Sequence, residues 1–215
     1  MPDNERMTAA PTPPPTEPSP PGLRERKKLR TRASIRAATR ALIEEDGWDA
    51  ATVERIAGRA EVSPSTVLRY FPAREDIVLP EEDGTLVLDA LRTRPAAEPW
   101  PLALRHALRQ AVARSEECDP EAVRLRARLA AEVPVVRDRL TRSAADTARP
   151  LRTALAERTG LDPGSLEARI RSTALVGALL EASLYWADHG CRGELRDLLD
   201  RALDVVEPLG ADGTP

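Results

Sequence analysis

The stretch that decides the fold is Thr52-Val-Glu-Arg-Ile-Ala-Gly-Arg-Ala-Glu-Val-Ser-Pro-Ser-Thr-Val-Leu-Arg-Tyr-Phe-Pro-Ala-Arg-Glu-Asp76. It reads as two short helices joined by a tight turn. Val53, Ile56 and Ala57 recur at i, i+3, i+4, one apolar stripe on a first helix that the Thr52 hydroxyl is placed to cap. Ala60-Glu61-Val62 is too short for anything but a turn. Ser63 then caps a second helix, with Pro64 at its first position, where a missing N–H costs nothing. Val67 and Phe71 point inward from that helix and Pro72 ends it. The residues left outward are Ser65, Thr66, Leu68 and Arg69, with Tyr70 and Arg74 towards the far end. That pattern is a helix-turn-helix whose second member lies in a DNA major groove.

Just upstream, Ile35, Ala38 and Leu42 at i, i+3, i+7 and then Gly47 mark a leading helix with its stop. Together with Ile56-Ala57, Val62-Ser63, Thr66, Arg69-Tyr70-Phe71 and Arg74-Glu75-Asp76, these residues resemble the signature of the tetracycline-repressor (TetR) family of bacterial regulators. The resemblance covers roughly Arg24 to Leu79. It implies an all-α protein that binds a duplex DNA operator as a homodimer, with Thr52, Ser63, Pro64, Ser65, Thr66, Leu68, Arg69, Tyr70 and Arg74 at the DNA. Two positions depart from the family. Glu61 stands where Gly is usual, and if the left-handed conformation is kept a side chain there costs about 1–2 kcal/mol. Leu68 stands where an aromatic is usual; it can touch a thymine methyl but donates no hydrogen bond to phosphate.

At 215 residues the chain holds one large or two small domains. Aromatic residues are only 3%, and no alternating run bounded by turn residues reads as a strand, so the expected class is all-α. The formal net charge of −3 hides an asymmetry. Between positions 24 and 40, Arg24, Arg26, Lys27, Lys28, Arg30, Arg32, Arg36 and Arg40 face only Glu25, which leaves the remainder acidic. A basic arm on an acidic body suits local phosphate contact.

The start of the chain has no apolar run of the secretory kind, and the most apolar stretch, Ala174 to Ala187, is shorter than a bilayer requires. A cytoplasmic protein without membrane contact is expected. Cys118 and Cys191 are two reduced thiols without metal-ligand spacing, and His106 and His189 lie in no ligating cluster. No Gly-rich phosphate loop or nucleophile elbow occurs, so neither a catalytic site nor a cofactor is expected.

The expected organisation is a Pro-rich disordered tail over 1–22, a helix-turn-helix domain over 23–79, a helical effector-binding and dimerisation domain over 80–210, and a flexible end over 211–215. A connecting helix begins at Ile77 to Leu79 and is interrupted by Pro80. Helices follow at about Thr85–Arg94, Trp100–Glu117, Pro120–Ala131, Pro134–Thr159, Pro163–Gly190 and Gly193–Leu209. Asp119-Pro120 and Asp162-Pro163 read as cap-then-Pro starts, and Gly160 and Gly190 as stops. Pro150 falls inside the longest helix and should kink it. His189 sits where a helix C-terminus favours a capping role.

The run Ala174-Leu175-Val176-Gly177-Ala178-Leu179-Leu180 is apolar nearly all round, so its helix is either buried or shared with a partner subunit. Family resemblance implies sharing, with Leu179 and Leu199 at the interface of the last two helices. Arg124 to Pro134 and Leu155 to Pro163 resemble the subgroup whose effector domain accepts acyl-CoA-like ligands, the mycofactocin-regulator type. On that reading Leu104, Leu108, Leu175, Leu179 and Trp186 line an apolar slot, and Arg105 and Arg109 meet the phosphates. The overall expectation is a ligand-responsive dimeric repressor. The alternative is a DNA-binding architectural protein whose helical C-terminal part only dimerises.

Overall fold

The computed structural model describes residues 22–79 and 83–207. Ten helices are found there: α1 Leu23–Asp46, α2 Val53–Arg59, α3 Pro64–Tyr70, α4 Arg74–Val78, α5 Asp83–Arg92, α6 Trp100–Cys118, α7 Pro120–Glu132, α8 Pro134–Thr159, α9 Leu166–Asp188 and α10 Leu195–Val206. Among the described residues there is no strand, and no helix is long and apolar enough to cross a membrane. The tail up to residue 21, Pro80 and the residues after 207 lie outside the described residues, and with them the expectations for those segments.

Local chemistry sets most helix ends. Gly47 closes α1 at φ +85°, its N–H donating to the Ile43 carbonyl. Thr52 caps α2 by accepting from the Arg55 N–H, and Ser63 caps α3 by accepting from the Thr66 N–H. Asp119 accepts from the Ala122 N–H ahead of Pro120 at the start of α7. Gly160 ends α8 in the left-handed conformation. The start of α9 differs from the expected Asp162-Pro163. Asp162 accepts from the Gly164 N–H at 2.8 Å and holds a turn, and Ser165 is the cap, accepting from Ala168. His189 ends that helix, its Nδ1 2.7 Å from the Tyr185 carbonyl and its ring stacked on Tyr185.

Two larger apolar cores follow, beside a small cluster around Trp186. Ile35, Leu42, Ile56, Val67, Phe71 and Ile77 fill the first, inside α1–α4, and Leu125, Leu129 and Val136 from α7 and α8 complete it. Leu91, Leu104, Leu151, Leu155, Leu175 and Leu203 form the second, among α5, α6, α8, α9 and α10. Polar ties reinforce the junction. Arg40 of α1 grips the Asp119 carboxylate with both Nη atoms, Arg139 of α8 donates from Nε to Asp76 at 2.6 Å, and Arg36 donates to the Leu79 carbonyl at 2.9 Å.

Candidate nucleic-acid interface and ligand cavity

The α2-turn-α3 unit is built as the residues dictate. Val67 and Phe71 are buried in the first core, which leaves Ser65, Leu68 and Arg69 exposed along α3. At its N-terminus the Ser63 hydroxyl lies 2.9 Å from both Ser65 Oγ and Thr66 Oγ1, so the three hydroxyls form one linked cluster beside Pro64. That cluster sits at the positive end of the helix, where anions are favoured. Tyr70 is half-buried, with the Arg69 guanidinium 5.5 Å and that of Arg32 6.0 Å from its ring centre. Glu61 in the turn adopts φ +55°, the left-handed conformation expected there.

Arg74 is placed differently from the sequence reading. It opens α4, its guanidinium stacks 4.1 Å from the centre of the Trp48 ring, and Nη1 donates to the Trp48 carbonyl at 3.2 Å. It braces the turn before α2 from behind. The basic stretch also divides. Arg24, Arg26, Lys27, Lys28 and Arg30 are exposed on the first turns of α1, a helical spur rather than a loose arm. Further along, Arg32 lies over Phe71, and Arg36 and Arg40 are turned into the protein.

The helical C-terminal part forms a half-open cavity of about 510 Å³, within the range of drug-sized ligand sites, about 300–1,000 Å³. Its wall is contributed by α5 to α10 and by Leu79. Leu104, Leu108, Leu179 and Trp186 line it as expected of them. Leu175 is buried behind the wall, in the second core. Arg105 and Arg109 do not line it. Arg105 meets Asp204 at 2.6 Å and Asp200 at 3.1 Å, and Arg109 meets Asp200 at 2.5 Å, so both cations clamp α6 to α10. Leu199 lines the cavity too and is only 6% exposed, and Leu179 faces the same way, so neither lies on an outer face. The apolar side chains left outward on α9 and α10 are Leu166, Ile170, Tyr185 and Val205.

Residues that the sequence reading did not assign to the ligand slot complete the wall: Arg126 on α7, and Ser143, Asp146 and Pro150 on α8. Arg126 Nε donates to the Val78 carbonyl at 3.4 Å, so one side chain borders the cavity and touches the last turn of α4. Its signal was faint, one arginine in an arginine-rich helix. The better clue was α7 itself, where Leu125 and Leu129 serve the first core while Ala127 and Ala130 line the cavity. Apolar residues on two faces mark a helix wedged between two bodies.

This head-and-cavity arrangement is matched by two family models. Residues 98–209, more than half of the chain, match the MftR C-terminal domain of TetR-type regulators, and residues 35–79 match the N-terminal domain of the tetR family of bacterial regulatory proteins. The chain belongs to the TetR family. The two matched regions correspond to the helix-turn-helix head and to the cavity-bearing helical part. The HTH-type transcriptional regulator TcmR of Streptomyces glaucescens is 35% identical over 108 residues, 49% of this chain and 48% of that protein, so the chain spans about half the length of this relative. Among solved structures, Thermus thermophilus FadR in complex with lauroyl-CoA aligns with a TM-score of 0.56 at 21% identity, over 86% of this chain and 96% of that one. A TetR-family regulator from Mesorhizobium loti MAFF303099 aligns at 0.53 with 18% identity, over 85% and 98%. At these identities both speak for the fold alone.

Proposed function

We propose that this TetR-family protein is a cytoplasmic repressor that holds a palindromic operator as a homodimer and releases it when a small, largely apolar molecule enters the cavity. The observation that carries the reading is the double role of α7. Leu125 and Leu129 belong to the core of the DNA-binding head, while Ala127, Ala130 and Arg126 border the cavity. A ligand that shifts α7 therefore moves groups the head is built on, and Arg126 lies against α4 directly. Coupling of this kind needs a differential contact in the two states, and a wall shared by cavity and head supplies one.

A dimer is supported by the exposed apolar residues of α9 and α10, Leu166, Ile170 and Val205. Two α3 helices related by a twofold axis then read half-sites one helical turn apart, about 34–36 Å, or a multiple of it. Acyl-CoA is the second effector reading. It is favoured by the apolar cavity and by the lauroyl-CoA in the Thermus FadR complex. An architectural protein without effector would have no use for a cavity of this size.

Selection of DNA from a random pool tests the proposal. Recovered fragments should share an inverted repeat, and Arg69→Ala should abolish the gel shift on them. Fragments without symmetry, or full affinity in the Arg69 variant, would overturn it.

A further inference from the structure

Among the described residues, the cavity wall carries two carboxylates, Glu116 and Asp146, and one guanidinium, that of Arg126, which is engaged with Val78. Arg142 and Arg149 flank Asp146 along α8 but are exposed and outside the wall. Arg105 and Arg109 are neutralised on α10. Among the described residues, nothing in this wall resembles a cradle for several phosphates.

Glu116 lies in the last turn of α6, where the helix end adds its own negative partial charge. Arg196 Nη2 forms a long ion pair with it at 3.9 Å, without a hydrogen bond, and bonds Glu194 at 3.0 Å. Trp186 lines the cavity too and belongs to a small apolar cluster against which Leu195 and Leu198 of α10, the helix that carries Arg196, are packed. Trp186 is 6% exposed, and its Nε1–H donates away to the Gly193 carbonyl at 3.1 Å. With the indole N–H so occupied, Trp186 offers the cavity ring carbon and no hydrogen-bond donor.

We propose that the effector is a cationic amphiphile, an ammonium or similar head seated between the Glu116 carboxylate and the Trp186 ring, with its apolar body along Leu104, Leu108 and Leu179. A carboxylate, a helix C-terminal end and an aromatic face each attract a cation and repel an anion. The proposal rests on the reading of the cavity as the effector site and specifies its chemistry.

The test compares four probes of one chain length on the full protein: n-decyltrimethylammonium, n-decanol, n-decanoate and decanoyl-CoA. Binding is measured by calorimetry below micellar concentrations. The ammonium should bind at least about tenfold more tightly than decanoate, the size expected for one partly desolvated charge contact. Glu116→Gln should remove most of that preference and leave decanol affinity unchanged. Asp146→Asn, at the exposed rim, should change the ratio less. Decanoate or decanoyl-CoA binding as tightly as the ammonium would overturn the proposal, as would a Glu116→Gln protein with the preference intact. If decanol binds while the charge preference fails, the effector site survives without its cationic ligand. If no probe binds, both readings fall.

Discussion

Glu61 holds a left-handed backbone, at φ +55°, in the turn that sets α3 against α2, and its side chain is exposed. Gly occupies that conformation without the steric cost a Cβ brings, though it adds freedom to the unfolded chain. Glu61→Gly should therefore stabilise the protein by about 1 kcal/mol, a melting temperature about 2–4 °C higher in a domain of this size. A calorimetric scan of the two proteins checks it; a lower midpoint for the variant would mean that Glu61 makes a contact worth more than the strain. Thr52, Ser63 and Pro64 could be read from sequence because a cap bonds a neighbour two or three residues away. Arg74 and Arg109 could not. Their partners lie 26 and 91 residues off, at Trp48 and Asp200, and no local pattern announces a cation that folding will neutralise.

The helices themselves were largely readable, since Pro starts, Gly stops and apolar spacing act within a turn or two. Pro134 and Gly160 bound α8 as expected. What escaped was the contribution of α7 and α8 to the cavity wall, and that Arg105 and Arg109 turn to α10 instead, because both depend on packing among six helices. The turn between α5 and α6 shows how such a junction is secured. Glu98 accepts from Arg94 Nε and Nη2, both at 2.7 Å, and lies 2.9 Å from His106 Nδ1. The Arg94 hydrogen bonds, against the opposing effect of burial and with help from His106, hold the Glu98 carboxyl down at about 2. Beside it, Arg158 of α8 donates to the Leu91, Arg94 and Pro95 carbonyls and closes the end of α5. A carboxylate lowered on folding stabilises the native state above its ordinary value of 4.5, and that contribution is lost as pH falls towards 2. Glu98→Gln should lower the melting temperature at neutral pH and flatten its acid-side decline across that window. Parallel curves for the two proteins would show that the junction does not depend on this carboxylate.

Leu166, Ile170 and Val205 leave the subunit with apolar surface on its last two helices, and Ile170 is 58% exposed. Ile170→Glu should yield a folded monomer in sedimentation at micromolar concentration and weaken operator binding, because one recognition helix reads only half a palindrome. A wild type that is already monomeric there would remove the dimer from the proposal. Inside the subunit, the head is not self-sufficient. Leu125, Leu129 and Val136 fill its core from beyond residue 79, and Asp76 and Arg40 are tied to Arg139 and Asp119. A fragment cut after Leu79 would expose the face those three side chains cover. This has a practical consequence for anyone grafting heads between regulators to rewire which gene answers which signal. The seam at residue 79 is a boundary along the chain but not in space, so a transplanted head needs residues 125, 129 and 136 redesigned to fit it. Sensor modules of this type can be exchanged as cartridges only when the lock travels with the key.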